Sequence, residues 1–245
     1  MTENSPKIRL FLDAALSVGQ MVELTPAQTH YLGGVMRRAA GHEVAVFNGR
    51  DGEWRAVIEV MEKKRARLRI LEQTAPQLGP PDLWLMFAPI KKARTDFIVE
   101  KATELGCARI QPVLTRFTNA ERVRVDRLQA HAVEAAEQCG GTFVPEVAEP
   151  VRLDRLLGDW PADRRLMFCD EARTALPVAE ALAGAGGGPW AILVGPEGGF
   201  ASDEAARLRA IPGVVPVTLG PRILRADTAA AAAITAWQMQ LGDWT

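Results

Sequence analysis

Cysteine is scarce in this chain. Its 245 residues hold three, Cys107, Cys139 and Cys169, odd in number and far apart, which argues against a disulfide framework and against a Cys-x-x-Cys metal site. Histidine is equally sparse, and His30, His42 and His131 are too dispersed to form a recognisable metal cluster. No metal is therefore expected. No apolar run approaches the roughly 20 residues that span a bilayer. The start, MTENSPKIRLFLD, also lacks the apolar segment of a signal peptide, so the expectation is a soluble, cytoplasmic chain with no membrane partner. Neither G-x-G-x-x-G nor G-x-x-x-x-G-K-[ST] occurs, and dinucleotide-dependent dehydrogenase, ATPase and kinase readings lose support accordingly. A net charge of -1 speaks against a uniformly basic nucleic-acid binder, although a whole-chain sum can conceal a local patch.

What is present fits a globular protein of one large or two small domains: 48% hydrophobic and 24% charged residues are enough to build a substantial core. Residues 1–72 carry 11 Lys and Arg against 9 Asp and Glu, with Lys63, Lys64, Arg65, Arg67 and Arg69 inside seven positions. In this stretch Trp54, Ala56, Ile58 and Val60 recur every second residue. So do Ala66, Leu68 and Ile70, with Arg65, Arg67 and Arg69 at the opposite parity, the pattern of strands with an apolar inner and an arginine outer face. Asn48-Gly49 and Asp51-Gly52 supply turn chemistry between Val44–Phe47 and the strand around Trp54. A small β-barrel-like domain is the economical reading, and the three arginines are either its solvated face or phosphate contacts.

The run APQLGPPD at 75–82 breaks regular structure, which places a domain boundary there: residues 1–74, then 75–245. Beyond it, apolar strands alternate with helices: LWLMFAP at 83–89, a helix near 94–105, RIQPVL at 109–114, a helix near 122–139, RLMFC at 165–169, a helical PVAEALA and WAILV at 190–194. Ile98, Ala102 and Leu105 form one helical face, with Gly106 suited to the cap that follows. Ser202 is positioned to cap the next helix, and an alanine-rich helix runs from Asp227 to about Leu241. Continuous apolar strands of this kind are buried on both faces, so an α/β domain with a mostly parallel sheet is expected.

Two loops stand out, Gly195-Pro196-Glu197-Gly198-Gly199-Phe200 and Leu219-Gly220-Pro221-Arg222-Ile223-Leu224-Arg225. Each follows a strand and precedes a helix, which puts both at the carboxyl ends of the strands, where open parallel sheets bind ligands. ILVGPEGGF at 192–200 and LGPRILRADTAAAAAI at 219–234, with HYLGGVMRR at 30–38, KKARTDFIVEKATELG at 91–106 and EAAEQCG at 134–140, resemble the blocks of the bacterial 16S rRNA (uracil-N3) methyltransferases in their order. This is the RsmE-like branch of the SPOUT superfamily, and the resemblance covers almost the whole chain. Asp227 stands where that family usually has glutamate, and Gly141 where it often has arginine.

The resemblance implies a C-terminal α/β domain with a trefoil knot, an exception to unthreaded connections, and an N-terminal PUA-like β-barrel that binds RNA. It also implies S-adenosylmethionine held by the knot loops, through Leu193, Gly195, Pro196, Glu197, Gly198, Gly199, Phe200, Leu219, Gly220, Ile223, Leu224 and Arg225. The RNA partner, 16S rRNA within the small ribosomal subunit, would meet Arg9, His30, Arg37, Arg38, Arg65, Arg67, Arg69, Lys91 and Arg94. A homodimer is implied too, and the apolar helix carrying Ile234, Trp237 and Met239 motivates it. The N3 of neutral uracil bears a proton and is a poor nucleophile, so the site must assist its loss or stabilise the resulting anion, which a guanidinium near the uracil oxygens could do. Arg225 leads for that role and Arg94 follows, while the proton goes to Asp227, to Glu197 or to water. Two rival readings are a knotted ribose 2′-O-methyltransferase and a non-catalytic RNA-binding assembly factor.

Overall fold

The computed structural model describes residues 6–119 and 122–244, so the first five residues, on which part of the reading of the chain start rests, lie outside the described residues. Two compact units emerge, one of residues 1–79 with 136–143 and one of 80–135 with 144–245. Among the described residues no helix is long and apolar enough to cross a membrane.

In the first unit the chain forms β1 (Arg9–Phe11), β2 (Met21–Glu23), α1 (Pro26–His30) running into a π-helical turn (Tyr31–Val35), β3 (Glu43–Phe47), β4 (Glu53–Met61) and β5 (Ala66–Ala75). The five strands make one sheet in the order β1-β3-β4-β5-β2, antiparallel except for the β1–β3 pair, with β1 and β2 as its edges. The period-2 pattern is realised. Ala56, Ile58, Ala66, Leu68 and Ile70 are fully buried in a core shared with Leu10, Leu32, Val44 and Val46. The turn between β3 and β4 is built as its residues demand: Asn48 Oδ1 accepts the amides of Arg50 and Asp51, and Gly49 and Gly52 take positive φ.

The second unit contains β6 (Leu83–Phe87), α2 (Lys92–Glu104), β7 (Arg109–Leu114), most of α3 (Val125–Cys139), β8 (Glu146–Val147), β9 (Val151–Arg152), α4 (Leu153–Gly158), β10 (Arg165–Cys169), β11 (Leu176–Pro177), α5 (Val178–Leu182), β12 (Trp190–Val194), α6 (Ser202–Arg209), β13 (Val214–Thr218) and α7 (Ala226–Leu241). The sheet is parallel, in the order β11-β13-β10-β12-β6-β7-β8, with β9 also paired to β7. Alternate residues of each strand feed two separate cores, as expected when a parallel sheet is covered on both faces. Leu83, Leu85, Met167, Trp190 and Ile192 pack with α2, α3, α5 and α7, whereas Met86, Leu166, Phe168 and Leu193 pack with α4 and α6.

The strand order carries a topological consequence. After β10 the chain returns to insert β12 between β10 and β6, then crosses outside β10 to lay down β13, and α7 comes back to pack on α2, β6 and β12. The knot implied by the resemblance is an exception to unthreaded connections, and this strand order accommodates it. α7 is held firmly there. Trp237 meets Trp190 edge-to-face at 6.5 Å between centroids, and the buried Gln238 donates from Nε2 to the Leu105 carbonyl just past α2. Gly106 beside it takes φ +79, which favours glycine, and a Cβ there would lie 2.9 Å from Gln238 Nε2 and press on the amide that bonds Leu105.

Two local expectations shift. Ser202 is the first helical residue of α6 and makes no cap; Ala201 occupies that position, its amide donating to Glu204 Oε2 at 3.1 Å. A glutamate in the first turn supplies the partner that Ser202 was expected to be. In α7, Ile234 and Trp237 are buried in the chain's own core, and of the three residues offered for a subunit contact only Met239 is exposed.

Candidate functional site

The carboxyl ends of β10, β12 and β13 converge on a cavity of ≈ 510 Å³. That volume lies within the range of roughly 300–1,000 Å³ typical of small-molecule sites. Each of the three following loops contributes. Gly195–Gly199 comes from the first conspicuous loop, Leu219, Gly220 and Arg222–Arg225 from the second, and Cys169, Asp170, Glu171 and Arg173 from the segment after β10.

The third segment went unread in the sequence, yet the rule that singled out the other two applies to it, since DEAR follows the apolar strand RLMFC. Its Glu171 braces the first loop: the carboxylate accepts the Phe200 amide at 2.8 Å. Gly199 takes φ +71, which favours glycine, and a Cβ there would fall 2.1 Å from Glu171 Oε1, so a larger residue would have to displace the carboxylate that accepts the Phe200 amide. Arg173, itself at φ +57, donates from Nη1 to the Pro221 carbonyl and braces the second loop in the same way. Cys169 is half-buried at the strand end, and desolvation pushes its thiol pKa up to about 12.

Of the residues expected to hold the cofactor, Leu193 and Phe200 stand behind the cavity, both buried, with Phe200 edge-on to Phe168 at 5.3 Å. The other ten line it. Ile223 is 78% exposed there, an apolar side chain open to the cavity.

Three of the four catalytic candidates meet. Arg94, near the start of α2, donates from Nη1 to Glu197 Oε1 at 2.6 Å, and its Nε lies 3.8 Å from Asp227 Oδ2 in the first turn of α7. The shorter aspartate still reaches the guanidinium. Arg225, the fourth, is the N-cap residue of α7, exposed and lining the cavity, and it forms no ion pair among the described residues.

The residues expected on RNA fall into three situations. Arg9 is not free: its guanidinium makes four hydrogen bonds, to Glu53, to the carbonyls of Ala136 and Glu137 at the end of α3, and to the carbonyl of Gly141, and it stacks over Phe47. It serves as a cation at a helix C-terminus, where the dipole favours it. Arg65 and Arg69 are exposed on the outer face of the first sheet but paired with Glu23 and Glu59, and Arg67 is half-buried between them. His30 and Arg37 are exposed, Arg38 is half-buried, and Arg37 holds φ +52, while Lys91 is exposed at the start of α2.

A parallel α/β sheet with a loop-lined cavity in one unit and an arginine-faced sheet in the other define a class, and sequence comparison gives it a name: the RNA methyltransferase domain profile matches residues 78–238, and the RNA methyltransferase PUA domain profile matches residues 24–71. Ribosomal RNA small subunit methyltransferase E of Rickettsia conorii is 30% identical over 232 residues, which are 92% of this chain and 93% of that protein. The protein of that name from Synechocystis is 34% identical over 218 residues, 87% of this chain and 71% of its own length. Among solved structures, the ribosomal RNA small subunit methyltransferase E of Neisseria gonorrhoeae bound to S-adenosyl methionine matches with a TM-score of 0.86 at 32% identity, covering 97% of this chain and 99% of that one. A putative methyltransferase from Legionella pneumophila, in complex with SAM, matches with 0.87 at 29% identity, covering 96% and 98%. The chain belongs to the ribosomal RNA small subunit methyltransferase E family.

Proposed function

We propose that the protein methylates N3 of a uridine in 16S rRNA, within the small ribosomal subunit, with S-adenosylmethionine as methyl donor. The observation that carries this reading is the cavity walled by both glycine loops, with Arg225 on its lining and the Arg94–Glu197–Asp227 cluster at its edge. The donor fits the residues present. Gly195, Gly198, Gly199 and Gly220 leave backbone within reach of a ligand, Ile223 and Leu224 offer apolar cover, and Glu171 and Arg173 hold the loops in place beforehand. Its sulfonium supplies an electrophilic methyl group.

The chain's own groups do the rest. Uracil N3 lies on the Watson–Crick edge, so the target must be unpaired or flipped out. Loss of its proton spreads negative charge from N3 onto the two carbonyl oxygens that flank it. Arg225 carries a positive charge not committed to any carboxylate among the described residues, which suits it to that anion. Arg94 is engaged by Glu197 and Asp227, so it orients the two carboxylates that, with water, are the available proton acceptors. The first sheet contacts RNA through Arg65, Arg67 and Arg69, and a two-fold homodimer, with exposed Met239 at its contact, completes the reading.

The test is methylation of unmodified small subunits or 16S rRNA by the purified chain with labelled donor, followed by nuclease digestion and mass spectrometry of nucleosides. N3-methyluridine supports the reading. A 2′-O-methylated nucleoside replaces it with the ribose reaction, and RNA binding without methyl transfer replaces it with a non-catalytic role.

A further inference from the structure

Beside the first cavity loop stands a half-exposed aromatic ring. Phe117 follows β7 at the carboxyl end of the sheet and is 48% exposed; Phe97 and Trp244 of the same unit are exposed too, whereas Phe87, Phe168, Phe200, Trp190 and Trp237 are buried, and of the exposed three it is Phe117 that meets a cavity loop, at Gly198. The turn carrying it is tied down on every side. The Thr115 amide donates to Thr118 Oγ1 at 2.8 Å, and the Thr118 amide to the Thr115 carbonyl at 3.2 Å. The Arg116 amide donates to the buried Glu204 carboxylate at 2.8 Å, and the Arg116 guanidinium grips Asp203 through two bonds of 2.7 and 2.6 Å. Arg116 is thus held to α6 and Thr118 to Thr115, and the ring between them is left half exposed.

Its location relates it to the methyl-transfer site. A Cβ on Gly198 would lie 3.4 Å from Phe117 Cβ, so nothing intervenes between the residue and the loop that carries Glu197, itself hydrogen-bonded to Arg94. The residues flanking Phe117 in the chain, Arg116 and Thr118, are charged and polar, and the loop residue it touches, Gly198, adjoins the charged Glu197. A protein partner requires a broad apolar patch, whereas a single flat ring bordered by hydrogen-bonding groups suits a nucleobase, whose faces stack and whose edges are polar.

We propose that Phe117 is the stacking platform for the unpaired uracil presented to the site, holding the base beside the first cavity loop; this rests on the uridine-methylation reading. Stacking would order the base without contributing to binding of the methyl donor. Replacing an aromatic platform costs about 5- to 100-fold per base.

The full-length chain is assayed as wild type and as Phe117→Leu, Phe117→Ala, Phe117→Tyr and Phe117→Trp, with S-adenosylmethionine affinity measured by calorimetry without RNA, and KM for RNA and kcat measured on unmodified small subunits. The expected result is that Phe117→Leu and Phe117→Ala raise KM or lower kcat by about 5- to 100-fold, while Phe117→Tyr and Phe117→Trp stay close to wild type and donor affinity is unchanged throughout. RNA carrying 5-iodouridine at the modified position should photocrosslink to Phe117 in the wild type, a readout independent of turnover. Wild-type kinetics in Phe117→Leu, with the crosslink at another residue, would overturn the inference and leave the methylation reading standing. So would a parallel loss of donor affinity, which means that the ring only packs the loop, or a change of oligomeric state, which means that it meets a second copy. A wild-type protein that forms no N3-methyluridine overturns the methylation reading itself.

Discussion

The Glu171 carboxylate accepts a hydrogen bond from the Phe200 amide at 2.8 Å, tying the segment after β10 to the loop after β12. Gly199 sits in the bend between them, at φ +71 and against the same carboxylate. Gly199→Ala adds the cost of a left-handed backbone, about 1–2 kcal/mol, to a Cβ placed 2.1 Å from Glu171 Oε1. The expected outcome is a lowered Tm and weaker S-adenosylmethionine binding by calorimetry. Adding Glu171→Ala should relieve the clash but not the backbone cost, so recovery should be partial. Gly198→Val should weaken donor binding with less effect on Tm, because its backbone is not left-handed. Unchanged donor affinity in a folded Gly199→Ala protein would remove the loop from the donor site.

Arg225 and Arg94 should differ in how they fail. Loss of a charge that stabilises the developing anion lowers turnover by about 10²- to 10³-fold, so Arg225→Ala should lose single-turnover rate at saturating RNA and donor while its RNA affinity changes little. Arg94→Ala releases Glu197 and Asp227 together, leaving two carboxylates near the cavity without their cation. It should weaken donor binding as well as turnover. A wild-type rate in Arg225→Ala would transfer the role to Arg94.

Much of this site was legible because the rule behind it is topological: parallel strands read as continuous apolar runs, and the loops after them face the ligand. GPEGGF and LGPRILR lie where that rule puts them. Several contacts were not legible, because they depend on which distant residues meet. Nothing local to Arg9 announces that α3 will end against it, so the hydrogen bonds this basic side chain makes to the helix end could not be read from sequence. Trp237 and Ile234 give an apolar helix face from sequence, but periodicity does not say whether the core or a second subunit covers it, and the core does. The pairing of Arg65 with Glu23 needs the β2–β5 register, which joins residues 42 apart.

Thiol chemistry should report the donor site. Burial raises the Cys107 thiol, and raises that of Cys169 to about 12, so both stay protonated at pH 8, whereas Cys139 is exposed. Iodoacetamide at pH 8, followed by peptide mass spectrometry, should label Cys139 first and Cys169 slowly. Because Cys169 lines the cavity, S-adenosylmethionine should slow it further and leave Cys139 unaffected. The sign of the linkage follows: a thiol raised on folding favours the native state below its unfolded pKa of roughly 8.5. That contribution declines as pH rises from there towards 12, so Cys169→Ser should flatten the alkaline loss of stability. Rapid Cys169 alkylation with donor bound would contradict its placement.

On the outer face of the first sheet the arginines are interleaved with acids, Arg65 with Glu23, Arg69 with Glu59 and Arg55 with Glu72. Arg65 holds the Glu23 carboxyl below its ordinary range, so Glu23 stays charged at neutral pH and competes with phosphate for Arg65. Exposed pairs of this kind contribute about 0–1 kcal/mol to folding, so the competition can be removed without unfolding the domain. Replacing Arg65, Arg67 and Arg69 together by glutamine should weaken RNA binding and flatten its dependence on salt, because each lost phosphate contact removes about 0.7–0.9 from the logarithmic slope. Glu23→Gln with Glu59→Gln should do the reverse, strengthening RNA binding and steepening the slope, since Arg65 and Arg69 become available to phosphate. Donor affinity should stay constant in both. Filter binding across a salt series distinguishes the outcomes: if the glutamine triple keeps the wild-type slope and the acid double gains nothing, the arginine face is a solvated surface of the sheet and RNA is held by other residues.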